Sequence, residues 1–104
     1  MQAFTDYRGR QIRLTDERAD HILEHPEMVG RESEIAGILL RPDFVVQSVS
    51  DPEVHLYYRR LRASHTRARW LCIVVKDIVD DGFIITAYLT DRPKRGTELW
   101  RASR

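Results

Sequence analysis

Pro42 divides the chain between two hydrophobic periodicities, and that division limits the fold more than any other feature. Before it, apolar residues recur at helical spacing. Ala19, Ile22 and Leu23 stand at i, i+3, i+4, and Ile35, Ile38 and Leu39 repeat the pattern. After it, apolar residues alternate or run together in short blocks, as strands do. Thr15 is a suitable N-cap for a helix over residues 16–25, with Asp16 and Glu17 at the positive end of its dipole and Pro26 ending it. A second helix over residues 31–41 follows Gly30 and stops at Pro42.

Beyond Pro42, residues 44–49 read as a strand, Asp51-Pro52 as a turn and residues 54–59 as an alternating strand. Residues 70–76 are apolar on both faces, which marks a central strand. Asp80-Asp81-Gly82 turns the chain into a strand over residues 83–90, and Leu99 and Trp100 form a last short strand or dock on the core. A short hairpin around Gly9 precedes the first helix. The expected fold is α+β, one domain over residues 1–104. Two N-terminal helices pack on one face of an antiparallel sheet of about four strands. Ile22, Leu23, Ile35, Ile38 and Leu39 then bury against Leu56, Ile73, Ile85 and Leu89.

At 104 residues and 42% apolar content, a single core is the natural outcome. The longest apolar runs are far too short to cross a bilayer. The start lacks the basic-then-apolar layout of a signal peptide, and Cys72 is the only cysteine. No intrachain disulfide or cysteine-based zinc knuckle is available, and a reducing cytoplasm is the expected setting.

Charge is unevenly spread. Residues 1–56 hold 6 basic and 11 acidic side chains, and residues 57–104 hold 11 and 5. Arg59, Arg60, Arg62, Arg67 and Arg69 fall in a stretch without an acid, and Arg92, Lys94 and Arg95 make a second cluster. Clustered guanidiniums suit phosphate oxygens. Arg60, Arg62, Arg67, Arg69 and Lys94 are therefore candidate RNA contacts. A solvated loop is the plainer reading, since only 2 of the 17 cations are lysine and the chain favours arginine throughout.

His21 and His25 stand at i, i+4 and share a helix face opposite the apolar stripe. Such a pair can hold a metal, but no third ligand has a fixed spacing, so no metal site is assigned. A general base is the other use of an imidazole there. Alternation puts His55, Tyr57 and Arg59 on one face of their strand and Val54, Leu56 and Tyr58 on the other. Thr86 and Tyr88 fall opposite the apolar set Phe83, Ile85, Ala87 and Leu89. An open sheet face presenting His55, Tyr57, Arg59, Thr86 and Tyr88 would hold the side-chain types that metal-independent RNA cleavage needs. These are a base for the 2′-OH, a cation or hydroxyl for the phosphorane, and an acid for the leaving oxygen. Threonine and tyrosine are also common in any amphipathic sheet.

The segments His21-Ile22-Leu23-Glu24-His25-Pro26-Glu27, Leu56-Tyr57-Tyr58-Arg59, Ile84-Ile85-Thr86-Ala87-Tyr88 and Gly96 with Leu99-Trp100 occur in an order that resembles a known group. It comprises the small phage- and toxin-associated nuclease-like domains grouped with barnase, EndoU, the tRNase colicins and RelE, and the BrnT-type toxins are similar in order. The resemblance implies metal-independent ribonuclease activity with no cofactor. It also implies RNA as substrate and an antitoxin or immunity protein as partner. His21 or His25 would match the group's helix histidine, Arg59 its strand arginine and Thr86 its strand hydroxyl. An RNA-binding or protein-interaction module without catalysis is the alternative on the same fold.

Overall fold

The computed structural model describes residues 1–62 and 69–103. Strands β1 (Gln2–Thr5) and β2 (Gln11–Leu14) come first, then helices α1 (Asp16–Leu23) and α2 (Glu34–Leu40), with a 3-10 turn at Pro26–Met28 between them. Strands β3 (Phe44–Ser48), β4 (Val54–Arg60), β5 (Trp70–Ile78), β6 (Asp81–Thr90) and β7 (Gly96–Arg101) follow. All seven join one sheet in the order β1-β2-β6-β5-β4-β3-β7. Thr15 caps α1, its hydroxyl accepting from Arg18 N at 3.2 Å.

The expectation of two N-terminal helices on an antiparallel sheet of about four strands is overturned. The sheet has seven strands and is mixed, because β2 runs parallel to β6 at the Arg13–Phe83 pair. Both helices follow the β1–β2 hairpin expected around Gly9, and because that hairpin is part of the sheet the helices do not open the fold. Glycines stand where the outer strands come in. A Cβ on Gly82 would lie 2.8 Å from the tip of the Ile12 side chain and 3.4 Å from Gln11 O of β2. A Cβ on Gly96 would lie 2.1 Å from Gln47 O, so glycine lets β7 pair with β3.

The sheet is buried on both faces, as its central strands require. On the helix side, Ile22, Ile35, Ile38 and Leu39 share one core with Ile12, Tyr57, Ile73, Val75, Ile84 and Ala87. On the other side, Phe44, Val46, Leu56, Tyr58 and Cys72 form a second core. Chain direction reverses at each step from β6 through β5, β4 and β3 to β7, so β6 and β7 run parallel. Residues 91–95 must therefore cross this second face, where Lys94 N donates to Tyr58 Oη at 2.9 Å.

The layer assignment of β4 is inverted relative to expectation. The alternation is as read, but Tyr57 joins the helix-side core, and Leu56 and Tyr58 lie on the far side. In β6 a bulge opposite Val74/Val75 leaves Ile85 unpaired and turns Ile84 inward to full burial. Leu56 and Ile85 thus do not form the expected floor for the helices, and Leu23 is 38% exposed.

The turn between β1 and β2 folds over the helix-side face. Tyr7 lies with its ring 5.8 Å from Tyr57 and 4.9 Å from Trp100 on β7. The first hairpin thus reaches the strand at the opposite edge, and the sheet curls around this core. No helix among the described residues is long and apolar enough to cross a membrane.

Candidate nucleic-acid interface

The sheet has two charged ends, and they are built differently. At the end where β4 finishes and β5 begins, Asp43, Arg59, Arg60, Leu61, Arg62, Ala102 and Ser103 line a cleft of about 660 Å³. Arg59 Nη2 donates to Gly37 O and to Arg41 O, both at 2.8 Å. A cation there satisfies carbonyls at the C-terminal end of α2 and opposes the negative end of its dipole. The ion pairs among the described residues engage Arg8, Arg10, Arg13, Arg31, Lys76 and Arg101, and not Arg59, Arg60 or Arg62.

A cluster of aromatic rings at this end, on the face opposite the helices, is flanked by two cations. The Arg60 guanidinium carbon lies 5.8 Å from the centre of the Trp70 ring. Trp70 meets Phe44 edge-on at 5.2 Å, and the Arg101 guanidinium lies 4.8 Å over Phe44. Phe44 stacks on Tyr58 at 5.0 Å. Each cation rests on the negative face of a ring.

At the opposite end, the β1–β2 turn is bound to the sheet by a buried charge cluster. Asp6 is 1% exposed. It accepts Tyr57 Oη at 2.8 Å, Arg8 Nε at 3.0 Å and the Arg8 and Arg10 backbone N–H groups at 2.9 Å each. Burial raises the Asp6 carboxyl, but these donors together outweigh it and hold the group below its ordinary value. Burial and the hydrogen bond to Asp6 push the Tyr57 phenol up, so it stays a donor. Asp77 receives Arg8 and also pairs with Arg10 at 3.1 Å. Arg10 donates to Ile78 O, and Arg13 Nε donates to Asp81 at 2.9 Å. Every arginine at this end has a carboxylate.

His55 is buried in the same cluster, its Nδ1 3.5 Å from Asp77 Oδ2 and without a hydrogen bond among the described residues. Burial depresses its pKa, and Arg8 and Arg10 push the same way against Asp77 and Asp6.

The expected constellation is divided. His55, Tyr57 and Arg59 occupy the helix side, with Tyr57 fully buried. Tyr88 packs on the far-side core, and Thr86, paired with Val74, shares that side. The Thr86 hydroxyl is buried without a partner among the described residues. No open face therefore presents these five together. His21 and His25 sit at the end of α1, rings 6.1 Å apart, and His21 Nδ1 lies 3.1 Å from Glu24. Among the described residues no group of three ligand-type side chains forms around them. Of the expected RNA contacts, Arg60 and Arg62 line the cleft, Arg69 is exposed, Lys94 crosses the far face, and Arg67 lies outside the described residues.

Asp43, Phe44 and Arg101 at the cleft end escaped the sequence reading, as did the carboxylate–arginine cluster around Asp6, while Trp70, which reads as packing, does pack on the second core. The turn Asp6-Tyr7-Arg8-Gly9-Arg10 carried one usable signal, an acid followed by cations two and four residues on. Cys72 is a core thiol, pushed up to about 12 by burial first. No protein family, curated protein or solved structure matches this chain.

Proposed function

We propose that this protein acts on single-stranded RNA at the arginine end of its sheet, as a metal-independent ribonuclease. The observation that carries the reading is the cleft walled by Arg59, Arg60 and Arg62, none paired with a carboxylate among the described residues. Unpaired guanidiniums in a concave site attract phosphate and can strengthen their hold as a phosphorane forms. The neighbouring Arg60 and Arg101, exposed and seated over the Trp70 and Phe44 rings, supply guanidinium planes against which unpaired bases stack. A protein inhibitor of the kind the resemblance implies would be acidic where it covers this cleft.

A second reading, RNA binding without cleavage, has its own support. His21, His25 and His55, the bases expected from the sequence, do not line the cleft. One experiment separates the two. The protein is incubated with a labelled single-stranded RNA, with and without EDTA, and binding is followed by anisotropy across a salt series. Cleavage unaffected by EDTA, leaving cyclic-phosphate ends, supports the first reading. Salt-sensitive binding with intact RNA supports the second. No binding at any salt removes both.

A further inference from the structure

We infer that Asp43 is the general base of this cleft, taking the proton from the 2′-hydroxyl that attacks the neighbouring phosphate. The inference rests on the RNA-cleaving reading above. Asp43 is the one acidic residue lining the cleft, alongside Arg59, Arg60 and Arg62. Its placement is fixed on both sides. Its backbone N–H donates to Tyr58 O at 2.8 Å, and its carbonyl accepts Ala102 N at 2.9 Å. The residue is thus clamped between the β4 and β7 sides of the sheet, directly after the Pro42 break. Its Oδ2 accepts Arg60 N at 2.6 Å, which sets the orientation of the carboxylate. A carboxylate has about four acceptor positions, so one held oxygen leaves capacity for a substrate hydroxyl.

Arg59 is fixed in the same way, its Nη2 tied to two carbonyls of α2. A base and a cation that are both held before substrate arrives need no reorganisation during reaction. Asp43 accepts the 2′-OH proton as the 2′-oxygen bonds to phosphorus. The phosphorus–O5′ bond breaks, and the departing oxygen takes a proton from water. The products are a 2′,3′-cyclic phosphate and a 5′-hydroxyl, and Asp43 returns its proton to solvent. The arginines hold the non-bridging oxygens throughout.

The test compares wild type with Asp43→Asn, which keeps an oxygen to accept Arg60 N. Single-turnover cleavage of a fluorescent single-stranded RNA is measured at saturating protein, with anisotropy for affinity and thermal melting for the fold. Asp43→Asn should cut roughly a hundredfold or more slowly, with affinity and melting retained. Asp43→Glu should recover part of the rate, which a merely structural role would not predict. Equal rates in wild type and Asp43→Asn overturn the assignment while cleavage stands. Binding without cutting by wild type also overturns it and leaves an RNA-binding domain. Neither binding nor cutting removes the reading beneath it.

Discussion

Arginine serves opposite purposes at the two ends of this sheet. At the β5–β6 turn, Arg8, Arg10 and Arg13 are matched by Asp6, Asp77 and Asp81, and the cluster carries no excess charge. At the far end of β4, Arg59 is turned onto helix carbonyls, and Arg60 and Arg62 face a cleft. A count of arginines does not separate these ends. The balance of carboxylates within reach does. Paired guanidiniums close the first hairpin onto the core, and those without a carboxylate among the described residues are the ones the proposed function assigns to phosphate.

The largest effect should come from breaking the paired end. Asp6→Ala removes the acceptor of the buried Tyr57 hydroxyl and of Arg8 at once. Leaving the buried Tyr57 hydroxyl without its acceptor, while Arg8 keeps Asp77, costs about 1–3 kcal/mol. Urea denaturation should register that loss, while RNA affinity of the folded fraction stays at the wild-type level. A loss below about 1 kcal/mol, within the range of an ordinary surface ion pair, would show that the hairpin is held by Tyr7 and Trp100 packing instead.

The sequence was legible where a pattern belongs to one element. The stripes of both helices, the Thr15 cap and the alternation in β4 are local, and local chemistry decides them. What alternation does not carry is which face meets the helices. The apolar set Val54, Leu56 and Tyr58 is the better candidate for the main core by composition. Tyr57 and His55 took the helix side because a distant turn supplies Asp6, Arg8 and a Tyr7 ring to cover them. The edge strands were expected as a hairpin around Gly9 and a last short strand, but their places in one sheet were hidden for a related reason. β7 reads Gly-Thr-Glu-Leu-Trp-Arg, largely exposed, and only the Gly96 approach to Gln47 reveals its partner. The bulge at Ile85 shifted the face of Ile84 by one residue, which no reading of period two contains. The arginine cluster was visible. Its junction with Asp43 and Phe44 was not, because those residues come from beyond α2 and meet it only through the β3–β4 pairing.

The open end is probed by the double variant Arg60→Ala with Arg62→Ala. Affinity for single-stranded RNA should fall roughly tenfold or more. The slope of log affinity against log salt should flatten by about 0.7 for each phosphate no longer neutralised. Stability should change little, because neither side chain holds a carboxylate among the described residues. The same slope in wild type and variant would place the phosphates elsewhere and dissolve the contrast between the ends.

A smaller effect separates the ends by pH. The His55 pKa is depressed below its ordinary 6.5 by burial, so the unfolded chain takes up this proton first as pH falls. His55 therefore contributes stability that is present above about pH 6.5 and declines below it, until the folded-state group also titrates. The depressed Asp6 carboxyl adds a second loss, in the range below its ordinary 3.8. Denaturation midpoints measured from pH 8 to pH 5 should fall at the acid side. His55→Gln should flatten that fall, and an unchanged profile would mean that another group governs it.

The smallest effect belongs to a residue at neither end. Thr86 lies mid-sheet with a buried hydroxyl that lacks a partner among the described residues. Valine has nearly the same shape and no hydroxyl to satisfy. Thr86→Val should therefore leave stability unchanged or raise it, by less than about 1 kcal/mol. The strand-hydroxyl role implied by the resemblance predicts something else, loss of cleavage at constant stability. The two outcomes are read from one sample by thermal melting and by RNA cleavage rate. A stable variant with wild-type cleavage leaves the chemistry at the Asp43 cleft. A stable variant that no longer cuts moves it to the face beneath residues 91–95, where Tyr88 and Tyr58 also lie, and the cleft arginines become a docking site for the strand rather than the place where it breaks.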